Sequence, residues 1–352
     1  MGKYFRMKRF FILLSLYAVL SGCGHRNQET AVSSCRFAEY FDISDDGKVV
    51  LFSPYDDRHD TLYIYKPFDN LVCMSSTHVA GLSAIGADSV ITAVSGLDYI
   101  CAGRLKEAGV FDVGYESSMD FERIVSLHPD AVLAYTVSGA EPQYITKLRS
   151  LGIPVLVLYD HLESHPLARA EYIRLYGALT GRQHVADSIF SCVCERYLAI
   201  AETSRTHSTG VKVLMNIPYG DLWYVPGGNS YMARLVQDAG GEVLGAKKGQ
   251  SASRVISLEY AWSLSREADI WLNPGYCSTR RQLESVHQLF PFFGPLADGL
   301  PVYNNTLRMS PEGGNDFFET GSVRPDLILA DLTAIFDGTY SQENGNFFIR
   351  LD

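Results

Sequence analysis

Two segments about 137 residues apart share one plan, and that repetition constrains the fold more than anything else in the chain. The first runs Phe121-Glu122-Arg123-Ile124-Val125-Ser126-Leu127-His128-Pro129-Asp130 into the apolar run Ala131 to Ala134. The second runs Leu258-Glu259-Tyr260-Ala261-Trp262-Ser263-Leu264 to Asp269 and ends in Ile270-Trp271-Leu272. Each reads as a short amphipathic helix with a glutamate beside its first apolar anchor, then an aspartate and a strand of buried type. Two similar α/β halves, each offering one exposed carboxylate, describe a two-lobed protein that docks on something two-fold and basic.

The N-terminus carries Lys3, Arg6, Lys8 and Arg9, then the apolar run Phe10 to Leu20, then Ser21-Gly22-Cys23. A basic start, about 11 apolar residues and small residues before a cut are the parts of an export signal. The run is too short to span a bilayer, which takes roughly 20 residues. Leu20-Ser21-Gly22-Cys23 resembles a bacterial lipobox, which predicts a signal peptide over 1–22 and lipidation of Cys23. An ordinary signal peptide with a chance cysteine is the alternative. Several acyl chains on one residue would hold the protein at the envelope, where a single chain binds only marginally. Cleavage removes four basic residues and no acidic ones, taking the net charge from −10 to −14. That balance argues against nucleic acid or anionic membrane surfaces as partners and leaves the lipid anchor as the membrane contact. About 330 mature residues suit two lobes rather than one. Six further cysteines, Cys35, Cys73, Cys101, Cys192, Cys194 and Cys277, lie past Cys23, and spacing does not reveal any pairing.

Along the chain, 23–36 reads as a polar tether. Residues 37–70 read as a β-ribbon extension, with strands Val49–Phe52 and Leu62–Tyr65 and a turn at Asp45-Asp46-Gly47. From 71 to 163 short strands (Leu71–Met74, Ser89–Ala93, Ala131–Ala134, Val155–Leu158) alternate with helices, Pro142 to Leu151 among them. That rhythm predicts an α/β fold with mainly parallel sheets flanked by helices. Residues 164–204 keep helical spacing throughout. Gly181 makes them one long helix with a kink or two in series, roughly 60 Å if continuous and able to bridge two lobes. From 205 to 352 the alternation resumes, with strands Val211–Asn216, Asp269–Asn273 and Leu300–Tyr303. Helices are expected at Ser230–Asp238, Ser257–Arg266, Thr279–Gln288 and Pro325–Phe336.

Catalytic motifs are missing. Neither GxxxxGK[ST] nor GxGxxG is present, nor GxSxG, nor HExxH. No carboxylate pair is set apart as an acid–base couple, so no enzyme is expected and no catalytic residue is named. No metal-ligand set is named either: His161 and His165 are four apart, but Pro166 places them at a helix start. The loops after the strands are better suited to holding a ligand, because open α/β sheets bind there. The candidates in the first half are Ser76, Thr77, His78, Asp98 and Tyr99. In the second half they are Tyr219, Trp223, Tyr224, Asn273, Tyr276, Asn305, Arg308 and Phe317. A cleft with aromatic walls and a few polar groups describes a small-molecule site. Trp223 and Tyr224 would serve a core equally well, His78 a helix cap, and Arg308 an ion pair with Glu312.

Residues 70–336 resemble the substrate-binding proteins of ABC importers for iron chelates, haem and vitamin B12, which have two lobes joined by one long helix. The resemblance rests on the segment from Phe121 to Ala134, on Leu151-Gly152-Ile153-Pro154-Val155, on the 164–204 helix, and on Glu259 through Ala268-Asp269. It implies an inter-lobe cleft for a metal-chelate small molecule (an iron complex, haem or corrinoid), a permease dimer as partner, a monomeric binding protein and no resident cofactor. It further implies that Glu122 and Glu259 pair with arginines of the two permease subunits, setting register more than affinity, and that the bracing helix limits lobe motion. The ribbon is an addition to that pattern, and no histidine-rich loop is present. The rival readings are direct capture of haem or metal through His78, His161 or a cleft tyrosine; a sensor or accessory lipoprotein that transports nothing; and an exported enzyme on the same scaffold.

Overall fold

The computed structural model describes residues 36–44, 46–207, 210–288, 290, 296 and 298–352. The signal segment, Cys23, the tether up to Cys35, and Asp45 lie outside these.

The extension is a three-stranded antiparallel meander, β1 (Phe41–Ile43), β2 (Lys48–Phe52) and β3 (His59–Tyr63), one strand more than the sequence pattern predicts. Gly47, with φ of +80°, closes the β1–β2 turn. Val49 and Leu51 alternate inward on β2 and join Phe41 in the first-lobe core, where Phe41 meets the Tyr172 ring edge-on at 4.6 Å. One face of the ribbon is therefore core.

The first lobe is a parallel sheet of order β6-β5-β4-β7-β8. Its strands are β4 (Leu71–Cys73), β5 (Ile91–Val94), β6 (Phe111–Asp112), β7 (Ala131–Ala134) and β8 (Val155–Val157). Helices α1 (Ser76–Ala84), α2 (Gly103–Glu107), α3 (Phe121–Leu127) and α4 (Gln143–Ser150) connect them. Strands β4, β7 and β8 are buried at every position, as strands covered on both faces should be. The β5 strand starts later than its apolar pattern implies because Asp88–Val90 turn as a 3-10 helix.

Residues 164–204 fold back on themselves instead of extending. α5 (Pro166–Thr180) ends at Gly181, whose φ of +69° is left-handed, and α6 (Gln183–His207) returns alongside it. A Cβ on Gly177 would lie 2.5 Å from the Ala186 Cβ, so the small residue permits the close approach. Arg174 Nε donates to Asp187 Oδ1 at 2.7 Å, and the His165 and Tyr197 rings are 6.0 Å apart. The long helix is present as α6, about 37 Å at 1.5 Å per residue. α5 does the joining: Tyr172, Ile173, Leu175, Tyr176 and Leu179 enter the first-lobe core, while Leu167 and Ala170 enter the second.

The second lobe has a sheet of order β12-β9-β14-β15-β16, parallel except for its last strand. It contains β9 (Val211–Met215), β12 (Gly241–Val243), β14 (Ile270–Leu272), β15 (Val302–Asn304) and β16 (Ile349–Arg350). A second, antiparallel sheet joins β10 (Pro218–Tyr219), β11 (Leu222–Val225) and β13 (Arg254–Ser257). Its first two strands occupy a stretch whose Gly and Pro content reads as loop. Helices α7 (Tyr231–Asp238), α8 (Leu258–Ser265), α9 (Arg280–Val286) and the C-terminal helix Pro325–Phe336 pack around these sheets. Ser230, Ser257 and Thr279 each cap the helix that follows.

Candidate functional site

Several buried side-chain atoms that lack a hydrogen-bond partner stand where strands end and the chain turns. In the first lobe they are both ring nitrogens of His78, after β4, and of His161, after β8. In the second they are Asn273 Oδ1, after β14, and Thr306 Oγ1, after β15. Arg169 Nε, on the bridging helix α5, is another. An orphaned buried polar group costs about 1–3 kcal/mol, and Glu163 Oε2, Tyr172 Oη and Gln183 Oε1 are in the same state away from these strand ends.

The floor of this region is electrostatically linked. His78 is fully buried, and burial pushes its imidazole down to about 4, with the Asp160 charge pulling the other way. His161 is lowered for the same reason. The Arg169 guanidinium lies 4.6 Å over the Tyr231 ring of the second lobe, and its Nη2 is 3.9 Å from Asp160 Oδ2 of the first. Arg169 thus touches both lobes from the helix they share. Above it, Tyr135 meets His161 edge-on at 5.8 Å. His161 and Tyr135 both follow strands, the signal used for the other candidates; Arg169 was hidden within a helix read only as a brace.

Exposed tyrosines recur on both lobes. Tyr99 and Tyr115 stand 6.5 Å apart beside the first lobe, and Tyr219, Tyr224 and Tyr276 are exposed on the second. Ser76 and Thr77 open α1 half-buried, with Ser75 as the cap that accepts from the Thr77 N–H. Asp98 is exposed, and its backbone carbonyl accepts from Lys106 Nζ. Asn273 holds a left-handed φ of 54°.

Five expected ligand residues are placed otherwise. Trp223 has no exposed surface and donates through Nε1 to the Met215 carbonyl at 2.7 Å, because alternation along β11 turns it inward while Tyr224 turns out. Phe317 is packed against Phe347 and Phe348 in the second-lobe core. Asn305 is buried, its N–H donating to the Asn304 side chain. Arg308 lies over the Phe347 ring and pairs with Asp316 at 3.3 Å; Glu312 pairs with Lys106 instead, at 3.2 Å. His78 has no exposed surface and is enclosed within α1.

A second-lobe loop grips the first lobe. Glu319 is buried, and its carboxylate accepts from the Cys101 N–H at 2.8 Å and the Ala102 N–H at 3.0 Å. Burial raises its carboxyl to about 7, with those two N–H groups opposing the rise. Gly314 sits so close to the Tyr99 carbonyl oxygen that a Cβ would be 2.1 Å from it.

The two glutamates of the sequence repeat occupy matching sites. Glu122 and Glu259 are exposed second residues of α3 and α8. The caps match too: Asp120 Oδ1 accepts from the Arg123 N–H at 2.8 Å, and Ser257 Oγ from the Tyr260 N–H at 3.2 Å. The repeated aspartates follow suit. Asp130 Oδ2 accepts from the Asn70 N–H, and Asp269 Oδ2 from the Lys212 N–H, each carboxylate fixing the start of the neighbouring strand. Among the described residues, no group of three or more His, Cys, Asp or Glu side chains is placed to hold a metal ion.

Two lobes on mainly parallel sheets, joined by shared helices, match the fold of periplasmic binding proteins. Residues 71–284 match the family described as periplasmic binding protein, and the chain belongs to that family, one of transport binding components rather than enzymes. It is 24% identical over 300 residues (81% of this chain, 69% of the relative) to an uncharacterized lipoprotein of Methanocaldococcus jannaschii. It is 23% identical over 336 residues (95% and 89%) to the iron(3+)-hydroxamate-binding protein of Bacillus subtilis. Among solved structures, a periplasmic heme binding protein from Pseudomonas aeruginosa aligns with a TM-score of 0.59 at 18% identity, covering 81% of this chain and 98% of that one. The periplasmic vitamin B12 binding protein of Vibrio cholerae aligns with a TM-score of 0.57 at 12% identity, covering 78% and 98%. These likenesses establish the fold.

Proposed function

We propose that this chain is the substrate-binding lipoprotein of an ABC importer, which takes an iron chelate, haem or corrinoid between its lobes and hands it to a permease dimer. The observation that carries this reading is the two-lobed fold with orphaned polar atoms at the strand ends of both lobes and Arg169, on the shared helix α5, touching both lobes. Such a site fits a bulky ligand with an apolar shell and scattered acceptors better than a bare ion, because aromatic walls bury surface and a few polar groups orient it. Similar proteins bind iron-hydroxamate, haem and vitamin B12, which agrees with that chemistry.

The protein works at the envelope in this reading, held by a lipid on Cys23, while Glu122 and Glu259 meet the two permease subunits. The test is titration of the mature protein with a ferric trihydroxamate, hemin and cyanocobalamin, read by quenching of tryptophan fluorescence. Saturable binding of one of the three at micromolar concentration or tighter is expected; binding of none removes the reading. Direct haem capture is the second reading, favoured by His161 and Tyr135, which meet after β8 and β7. A Soret shift on adding hemin that is lost in His161→Ala distinguishes it.

A further inference from the structure

The ribbon lies outside the residues that match the family, which begin at 71, yet its tip stands at the ligand end of the first lobe. Two facts locate it. The chain enters along α5, where Glu171 accepts from the Arg36, Phe37 and Ala38 N–H groups; just before α5, Glu163 accepts from the Glu39 and Tyr40 N–H groups, and Tyr40 meets Tyr159 ring to ring at 6.2 Å. Tyr159 follows β8, the edge strand of the sheet, at its C-terminal end. The β2–β3 connection, Ser53–Arg58, is closed by the Ser53 N–H donating to the Arg58 carbonyl, and it presents Tyr55 edge-on to the same Tyr159 at 6.2 Å.

The tip also meets the loop that follows β7. A Cβ on Gly139 would touch Tyr55 Cβ at 3.4 Å, and Asp60 is 3.6 Å from Arg149. That loop has two sides. Its Tyr135 faces His161 at the floor of the cleft, while Thr136, Ser138 and Gly139 line a cavity of about 70 Å³ beneath the tip. A cavity of that size holds a few waters and no chelate. That cavity is too small to be a ligand site of its own, and Tyr55 and Arg58, which also line it, remain exposed on the tip.

We propose that the ribbon tip is an added wall of the ligand cleft, in which Tyr55 packs on the outer part of a bulky metal complex and Arg58, steadied by Asp56 at 2.6 Å, donates to acceptors at its periphery. This rests on the reading that the cleft holds such a complex. Tyrosine and arginine are enriched among residues that dominate binding once a partner covers them, as a complex seated against the tip would.

The experiment titrates the full mature chain with ferrioxamine B, hemin and cyanocobalamin, comparing wild type with Tyr55→Ala, Arg58→Ala and the double variant. Tyr65→Ala, at the far end of the ribbon, serves as control, and thermal melts monitor folding. A loss of about tenfold or more in affinity in the double variant, with the melt and the Tyr65→Ala affinity unchanged, is the expected result. Equal affinity in wild type and double variant overturns the wall while leaving the cleft reading intact. Binding of none of the three probes by wild type overturns the cleft reading, and the wall with it.

Discussion

Glu122 and Glu259 stand at the same point of two helices 137 residues apart, each the second residue after a side chain that caps the helix. The strands that follow those helices pair alike: β7 lies between β4 and β8, and β14 between β9 and β15. Neither glutamate holds the fold together, since both are exposed and their helices are capped by other residues. Replacing both by alanine is expected to leave the melting temperature and ligand affinity unchanged and to abolish permease-dependent uptake. Charge pairs at such an interface set encounter and register. Undiminished uptake by the double variant would falsify the docking role.

Trp223 and Tyr224 are adjacent on β11 and face opposite ways. Trp223 packs against Trp271 at 5.6 Å and Phe290 at 6.2 Å, so Trp223→Ala is expected to cost about 3–5 kcal/mol of stability. Tyr224→Ala should leave the denaturation curve in place and weaken binding of the titrated probe. Denaturant melts and fluorescence titrations on both variants settle the division; a stable Trp223→Ala protein would contradict the packing.

The helices and parallel strands were legible in the sequence because period and caps agree in them. Ser257, Thr279 and Pro325 mark helix starts where the structure has them, and the all-apolar runs after Asp130 and Asp269 are the buried central strands. The antiparallel sheet of β10, β11 and β13 was not legible: Pro218 and Gly220 read as loop, while the pairing partner of β11 lies some thirty residues on. Trp223 failed for the same reason, since its burial depends on that pairing. The return of α6 along α5 depends on Gly177 meeting Ala186, a contact that helical spacing does not reveal. The cleft floor was half legible. His161 and Asn273 follow strands, but Arg169 matters through a ring supplied by α7 of the other lobe.

Glu319 gives the molecule a pH dependence of definite sign. Folded, its carboxyl holds a proton up to about pH 7; unfolded, it releases the proton near the ordinary 4.5. The folded state binds more protons between those values, so this group's contribution grows as pH falls from about 7 to 4.5 and is lost as pH rises through 7. Buried His78 acts oppositely, its folded value of about 4 lying below the ordinary 6.5, so its contribution is lost as pH falls through that window. Glu319→Gln removes the first effect only. Relative to wild type, the variant should be less stable at pH 5 than at pH 8, the gap changing by at most about 1.4 kcal/mol per pH unit. A stability difference identical at both pH values, measured by denaturant melts, would remove Glu319 as the source.

Gly314 tests whether the grip between lobes controls the cleft. No left-handed φ is needed there; the constraint is the Tyr99 carbonyl, 2.1 Å from where a Cβ would stand. Gly314→Ala must push the second-lobe loop off the first-lobe segment 99–102, and with it the Glu319 carboxylate off the Cys101 and Ala102 N–H groups. Overpacking of this kind costs about 1–3 kcal/mol. Gly103 is a matched control: nothing lies within 4 Å of its Cβ position and it begins α2, so Gly103→Ala should be neutral or slightly stabilising. Hydrogen exchange at the Cys101 and Ala102 amides should quicken in Gly314→Ala and stay slow in Gly103→Ala. If Tyr99 belongs to the rim, affinity for the bound probe should fall in the first variant alone. Slow exchange in both would mean that the loop yields without releasing the first lobe, and that Glu319, not the glycine contact, holds the two together.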